Sequence, residues 1–130
     1  MNPLLILATA LLIFGPAYVL DGNTVVVAGM HIRLKGADAS ELNTERGETA
    51  RQVLIDIVGD SELTCRLTGE KTHRREVGYC ATSDGIDINQ QIIARGAALS
   101  CSRFDTRYLA FEQPAALVAQ PRASYCVPRR

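Results

Sequence analysis

The 130-residue sequence has no tryptophan, two histidines, two lysines and no excess of either charge, since fourteen Lys and Arg balance fourteen Asp and Glu. A net charge of zero removes the long-range positive field on which tight, sequence-indifferent nucleic-acid binders rely. Three Phe and four Tyr leave little aromatic surface for the stacking platforms of single-strand-binding modules. There is no internal repeat and no low-complexity tract. The chain has no C-x-x-C pair, and with only His31 and His73 to complete a ligand set a structural zinc site is disfavoured. No apolar run reaches the roughly 20 residues that span a bilayer. The length suits one domain with a single core and leaves no room for a second of ordinary size.

What is present begins with a leader-like segment. No charged side chain precedes Asp21, and Leu4 to Phe14 (LLILATALLIF) is an apolar run of signal-peptide length. Gly15-Pro16-Ala17 supplies the small residues a signal peptidase prefers, so residues 1–17 read as an export signal and 18–130 as the domain. The n-region lacks Lys and Arg; an uncleaved anchor or a segment packed into the domain is the alternative. Export predicts a secreted or periplasmic protein, a monomer without stable membrane association once the signal is removed. Cys65, Cys80, Cys101 and Cys126 all follow this segment, and an even count in a small exported chain predicts two disulfides.

The pattern of the remaining residues predicts a mixed fold. Val19 to Val27 reads as a strand interrupted at Asp21-Gly22, and Met30 to Lys35 alternates so that Met30, Ile32 and Leu34 face a core while His31, Arg33 and Lys35 face away. Thr44 caps a helix running to Val58, with Ala50, Val53, Leu54, Ile57 and Val58 on one stripe and Gly59 as the stop. Leu63–Thr68 and Val77–Thr82 flank the polar stretch GEKTHRRE as a hairpin with a long basic tip. Cys65 and Cys80 are equidistant from its centre, which predicts a cross-strand disulfide and leaves Cys101 to pair with Cys126. Asp87 opens a second helix with a D-x-x-Q capping box. Pro114, Pro121 and Pro128 break the tail, with a short helix between Tyr108 and Gln120. Few short strands among helices suit a small closed or partly closed barrel, and an OB-fold is the barrel of that size.

The stretch from Asp21 to Glu41 holds the chemistry. Two strands joined by a tight turn bring its polar ends together, so Asn23, Asp38 and Glu41 can meet around one point, as a metal-assisted or general-base site requires. Arg33 is presented to solvent or to a groove, and the guanidinium fork suits bidentate contact with phosphate or carboxylate.

Four motifs in order, Asp21-Gly22-Asn23-Thr24, Arg33-Leu34-Lys35-Gly36-Ala37-Asp38-Ala39-Ser40-Glu41, Arg74-Arg75 and Asn89-Gln90-Gln91-Ile92-Ile93-Ala94-Arg95-Gly96, resemble those of the thermonuclease family, staphylococcal-nuclease-like secreted nucleases. The similarity covers Val19 to about Leu99. It implies a five-stranded OB-fold barrel with two to three helices, of α+β class, and calcium-dependent hydrolysis of DNA and RNA, single-stranded or locally open, with low sequence specificity. By position it makes Arg33 and Arg75 the phosphate-binding arginines, Glu41 the residue that handles the attacking water, and Asn23, Asp38 and the Ala39 carbonyl the calcium ligands. Three departures stand out. Asn23 replaces an aspartate and loses a formal charge, which weakens calcium binding; Ser40 replaces a proline and frees φ before Glu41; and His73-Arg74 replace a Tyr-Gly pair before Arg75. With the neutral charge, these departures support a second class of function, an OB-fold nucleic-acid-binding or scaffold module that has lost hydrolysis.

Overall fold

The structure is a computed structural model and describes residues 11–128; the leader expected at residues 1–17 lies outside them as far as residue 10. Strands β1 (Leu11–Gly15), β2 (Ala17–Asp21), β3 (Thr24–Val27), β4 (Met30–Leu34) and β5 (Ala37–Asp38) precede helix α1 (Glu45–Val58). Then come β6 (Leu63–Thr72), β7 (Arg75–Thr82), α2 (Ile88–Ala94), β8 (Leu99–Ser100) and α3 (Pro114–Ala119). The main sheet has six strands in the order β1-β6-β7-β4-β3-β2, and β5 pairs with β8 in a second, two-stranded sheet. The two edges of the main sheet, β1 and β2, follow one another in the chain with only Pro16 between them. Pro lacks an N–H for a ladder and is confined to such edges and corners. The α+β class is as expected, and the hydrogen-bonded ladder has six strands, one more than expected, in an order that is not closed. Strand β1, from the segment expected to be a leader, lies antiparallel to β6 with Ile13 opposite Cys65.

The core lies between the concave sheet and the two longer helices. Val25, Ile32 and Leu34 from the sheet meet Leu54 from α1 and Ile88, Ile92 and Ile93 from α2, all fully buried. Met30 departs from its predicted inward position and stays 38% exposed. It is the first residue of β4, directly after the Ala28-Gly29 turn, and it stays exposed although its cross-strand partner Val27 is fully buried.

Local signals act as their chemistry requires. The Thr44 side chain accepts from Gly47 N at 3.0 Å and caps α1, while Gly59 takes φ 58° past its end. Asp87 caps α2 by accepting from Gln90 N at 3.0 Å. Two disulfides form, Cys65–Cys80 and Cys101–Cys126. The hairpin differs from the predicted long tip: β6 runs on to Thr72 and β7 starts at Arg75, leaving a two-residue turn at His73-Arg74. An irregularity between Leu67 and Lys71, where Gly69 has φ 88°, absorbs the extra residues and keeps Cys65 opposite Cys80.

The tail is tied down by long-range side-chain bonds. Three tyrosine hydroxyls donate to aspartates: Tyr79 to Asp105, Tyr108 to Asp87 Oδ2 at 3.2 Å, and Tyr125 to Asp38 Oδ1 at 2.8 Å. Each joins the tail to the body. Arg122 adds a paired contact to Glu112 at 3.0 and 2.5 Å, and it also donates to Ser100 O at 2.9 Å.

Two outcomes follow for stability. His73 and Arg74 have φ of 48° and 66°, the left-handed region that costs a residue with a Cβ about 1–2 kcal/mol and that favours Asn-Gly in a turn of this kind. Arg74→Gly therefore raises the unfolding free energy by roughly 1 kcal/mol in urea melts. Burial, followed by the hydrogen bond and negative charge of Asp105, pushes the Tyr79 hydroxyl up to about 12, against the opposing pull of Arg107 and Arg66. An unfolded tyrosine titrates near 10, so the protonated form is favoured by the fold. The contribution is complete below about pH 10 and is lost as pH rises towards about 12. Urea melts across that window show falling stability, and Tyr79→Phe flattens the slope.

Candidate active site

Strand register places the two key arginines. In β3, β4 and β7, Thr24 lies opposite Arg33 and Arg33 opposite Val77. Side chains two residues apart share a face, so Arg75 emerges on the same side as Val77, Arg33 and Thr24. Arg75 Nη1 donates to Thr24 Oγ1 at 3.0 Å, and its Nε donates to Thr72 O at 3.4 Å. Arg33 Nη1 donates to Leu34 O at 2.8 Å and Ala37 O at 2.5 Å, which fixes the guanidinium against the loop leading into β5. Burial lowers the Arg33 pKa from the ordinary arginine value; Asp38 offsets this and the like charge of Arg75 adds to it. The like charges are partly balanced by the carboxylate of Asp38.

Asp38, buried in β5, is gripped at both ends. Its Oδ1 accepts from Tyr125, and Gln120 Nε2 donates to its backbone carbonyl at 3.2 Å. Asn23 lies in the β2–β3 turn. With its amide nitrogen towards Asp21 Oδ1 at 2.9 Å, its oxygen accepts from Ala39 N at 3.1 Å, so the two polar ends of the Asp21–Glu41 stretch are stitched together. Gly22 makes the approach possible: a Cβ there would stand 2.7 Å from both Ala39 Cβ and Ala50 Cβ. Glu41 is exposed, with its backbone carbonyl accepting from Thr44 N at 3.1 Å and Thr44 Oγ1 at 2.6 Å. The carbonyl lies against Gly47 of α1 so tightly that a Cβ at Gly47 would come within 1.8 Å of it.

One cleft of about 660 Å³ is lined by Asn23, Arg33, Asp38, Ala39, Glu41 and Arg75 together. All six residues singled out from the sequence meet there. Asp21, Phe104 and Tyr125 also line it and were missed. Only the neighbouring Cys126 hinted that Tyr125 is held near the body, because its contact with Asp38 spans most of the chain. The arrangement can neutralise an anion with two guanidiniums beside a solvent-facing carboxylate. For a metal, Asp38 and the Ala39 carbonyl offer hard oxygens, and the Asn23 oxygen keeps one lone pair beside the one that accepts from Ala39 N. Among the described residues no three His, Cys, Asp or Glu side chains converge on one point.

No family model matches the chain. It is 32% identical over 98 residues to the succinoglycan biosynthesis protein ExoI of Rhizobium meliloti (strain 1021), covering 67% of this chain and 51% of that protein. It is 31% identical over 88 residues to the probable staphylococcal-like nuclease CAN1 of Oryza sativa subsp. japonica, covering 66% of this chain and 26% of the other. An uncharacterized endonuclease of Escherichia coli O157:H7 is 27% identical over 92 residues, 68% of this chain and 60% of that one. The chain thus spans about half of the first relative and about a quarter of the second. Fold and site define a small α+β protein with a cleft lined by two arginines, and its similarity to these relatives supports a thermonuclease-like family.

The packing of Glu41 on Gly47 sets a test. Gly47→Ala forces the Glu41 loop away from α1, costing about 1–3 kcal/mol in urea unfolding. A displacement of about 1 Å at a reacting group costs on the order of 100-fold in rate, so any activity of the cleft falls more steeply than the loss of folded protein explains.

Proposed function

We propose that the protein is an exported nuclease that hydrolyses phosphodiester bonds of DNA and RNA with little sequence preference, using calcium. The observation that carries this reading is the convergence of Arg33 and Glu41, from one stretch, and Arg75, from a distant hairpin, on one cleft. Hydrolysis of a phosphodiester needs neutralisation of the nonbridging oxygens, a positioned water and a proton acceptor. Arg33 and Arg75 take the first task through charge-assisted hydrogen bonds. Glu41 takes the other two: it orients the water and accepts its proton. Contacts of this kind reach the backbone and not the base edges, which accounts for low specificity. They reach it most easily on single-stranded or locally open substrate.

Asp38, the Ala39 carbonyl and Asn23 form an all-oxygen donor set, the type suited to calcium. When bound there, the ion would add positive charge at the phosphate. Asp38 is the one carboxylate of the set, so the affinity is low. Two disulfides fit an oxidising compartment, in line with export and a monomer working outside the cytoplasm. The engagement of the Asn23 oxygen by Ala39 favours one competing reading, a module that binds strands without cutting them.

The protein with both disulfides intact cleaves single-stranded DNA at roughly millimolar calcium, the range of weak extracellular sites, and loses that activity in chelator. Binding without cleavage at such calcium would overturn the nuclease reading in favour of the binding module. Arg33→Ala lowers kcat by about 100- to 1,000-fold, as loss of one transition-state donor does. Asn23→Asp reduces the calcium needed for half-maximal rate while lowering the melting temperature in chelator.

A further inference from the structure

We propose that Tyr125 is a positioning residue for the Asp38 carboxylate and that the Cys101–Cys126 disulfide holds it there. The inference builds on the nuclease reading by adding a tail residue to the same site. Tyr125 directly precedes Cys126, whose disulfide to Cys101 closes a separation of 25 residues. Cys101 in turn follows β8, and β8 is the pairing partner of the strand that carries Asp38, with Leu99 opposite Asp38. The covalent bridge thus links the segment bearing Tyr125 to the two-stranded sheet bearing its target. Cys101 N donates to Gly36 O at 2.8 Å and Arg103 N to Cys126 O at 3.1 Å, which fixes both sides of the bridge.

The contact to Asp38 is specific. The Tyr125 hydroxyl donates to Oδ1 at 2.8 Å, while Gln120 from the same tail holds the Asp38 carbonyl. Gln120 is 6% exposed and its Oε1 has no partner, so its amide is committed to Asp38 at the cost of an unsatisfied oxygen. Cost of that kind persists where the remaining bond fixes geometry. With one carboxylate oxygen held by Tyr125, Asp38 cannot rotate freely and presents its other oxygen to the cleft. Partners that orient a metal-ligating carboxylate in this way are worth about 10- to 100-fold in affinity or activity. The half-exposed Tyr125 ring is also a wall of the cleft, so it acts where substrate and cation enter.

The test uses the full chain as Tyr125→Phe, as the double variant Cys101→Ala/Cys126→Ala, and as Tyr18→Phe, a control tyrosine on the exposed side of β2. Three quantities are read: the Asp38 carboxylate carbon resonance by NMR in calcium-free buffer, the calcium midpoint from thermal-shift titration, and kcat and KM on single-stranded DNA. Tyr125→Phe moves the Asp38 resonance, raises the calcium midpoint about tenfold and lowers kcat about tenfold with KM within twofold. The double variant does the same, and Tyr18→Phe matches wild type in all three. An unmoved Asp38 resonance in Tyr125→Phe, or an unchanged midpoint and kcat in an active protein, overturns the proposal. If wild type neither responds to calcium nor cuts DNA, the nuclease reading falls, and the carboxylate resonance alone then decides the role of Tyr125. Should the double variant fail to fold, Tyr125→Phe decides it.

Discussion

The parallel pairing of β4 with β7 is the constraint on which the site depends. A parallel pair requires a long crossover, here built from β5, α1 and β6, and α2 packs over the result to hold it. Asn89 of α2 is fully buried and reaches both strands: its amide donates to Lys35 O at 3.0 Å and Gly78 O at 3.1 Å, and its oxygen accepts from Cys80 N at 3.1 Å. A buried amide satisfied at both ends specifies register, because any slip would leave these groups unpaired at about 1–3 kcal/mol each. A one-residue slip would also send Arg33 into the core. The placement of two arginines on one face is therefore a consequence of packing chemistry several residues away.

That dependence explains which features could be read from the chain. Caps at Thr44 and Asp87, the inward Ile32 and Leu34, and the Cys65–Cys80 match rest on residues close in sequence or on symmetry about a turn, where local rules decide. Arg33, Asp38 and Glu41 were legible because they crowd into one short stretch; Arg75 needed the order of motifs. The His73-Arg74 turn was not legible, since neither residue favours positive φ and only the pairing of β6 with β7 imposes it. The open edge at β1 depends on the whole sheet, and Met30 stays exposed beside a buried Val27 because alternation says which face a residue takes and not how much of it is covered. The tail was the least legible part: its three Tyr–Asp bonds and its Gln120 contact join residues far apart, and no periodicity announces them.

A chain without net charge still brings two guanidiniums to one cleft, and it does so among carboxylates that balance them. Arg33 and Arg75 sit where solvent screening is reduced, so an anion in the cleft feels them strongly while the surface as a whole stays neutral. Their neighbours limit the repulsion: Thr24 and backbone carbonyls accept from both, and Asp38 lies within range of Arg33. A phosphate held by such a pair would need no long-range steering, only the short-range fork geometry of guanidinium.

Asn23 shows the same trade made at the opposite charge. Its amide donates to Asp21 and accepts from Ala39, two bonds that hold the loop closed without any cation. An aspartate at this position could accept from Ala39 but could not donate to Asp21, and the two carboxylates would face each other across about the same distance. Such a pair is stable only when a positive ion lies nearby or one member takes a proton. Asparagine thus yields a loop that is organised without a cation, whereas aspartate would need one nearby to organise it. The low charge of this loop and its closure by hydrogen bonds come from one residue, and the tail that grips Asp38 through Tyr125 and Gln120 sets the geometry of the same cleft by protein contacts.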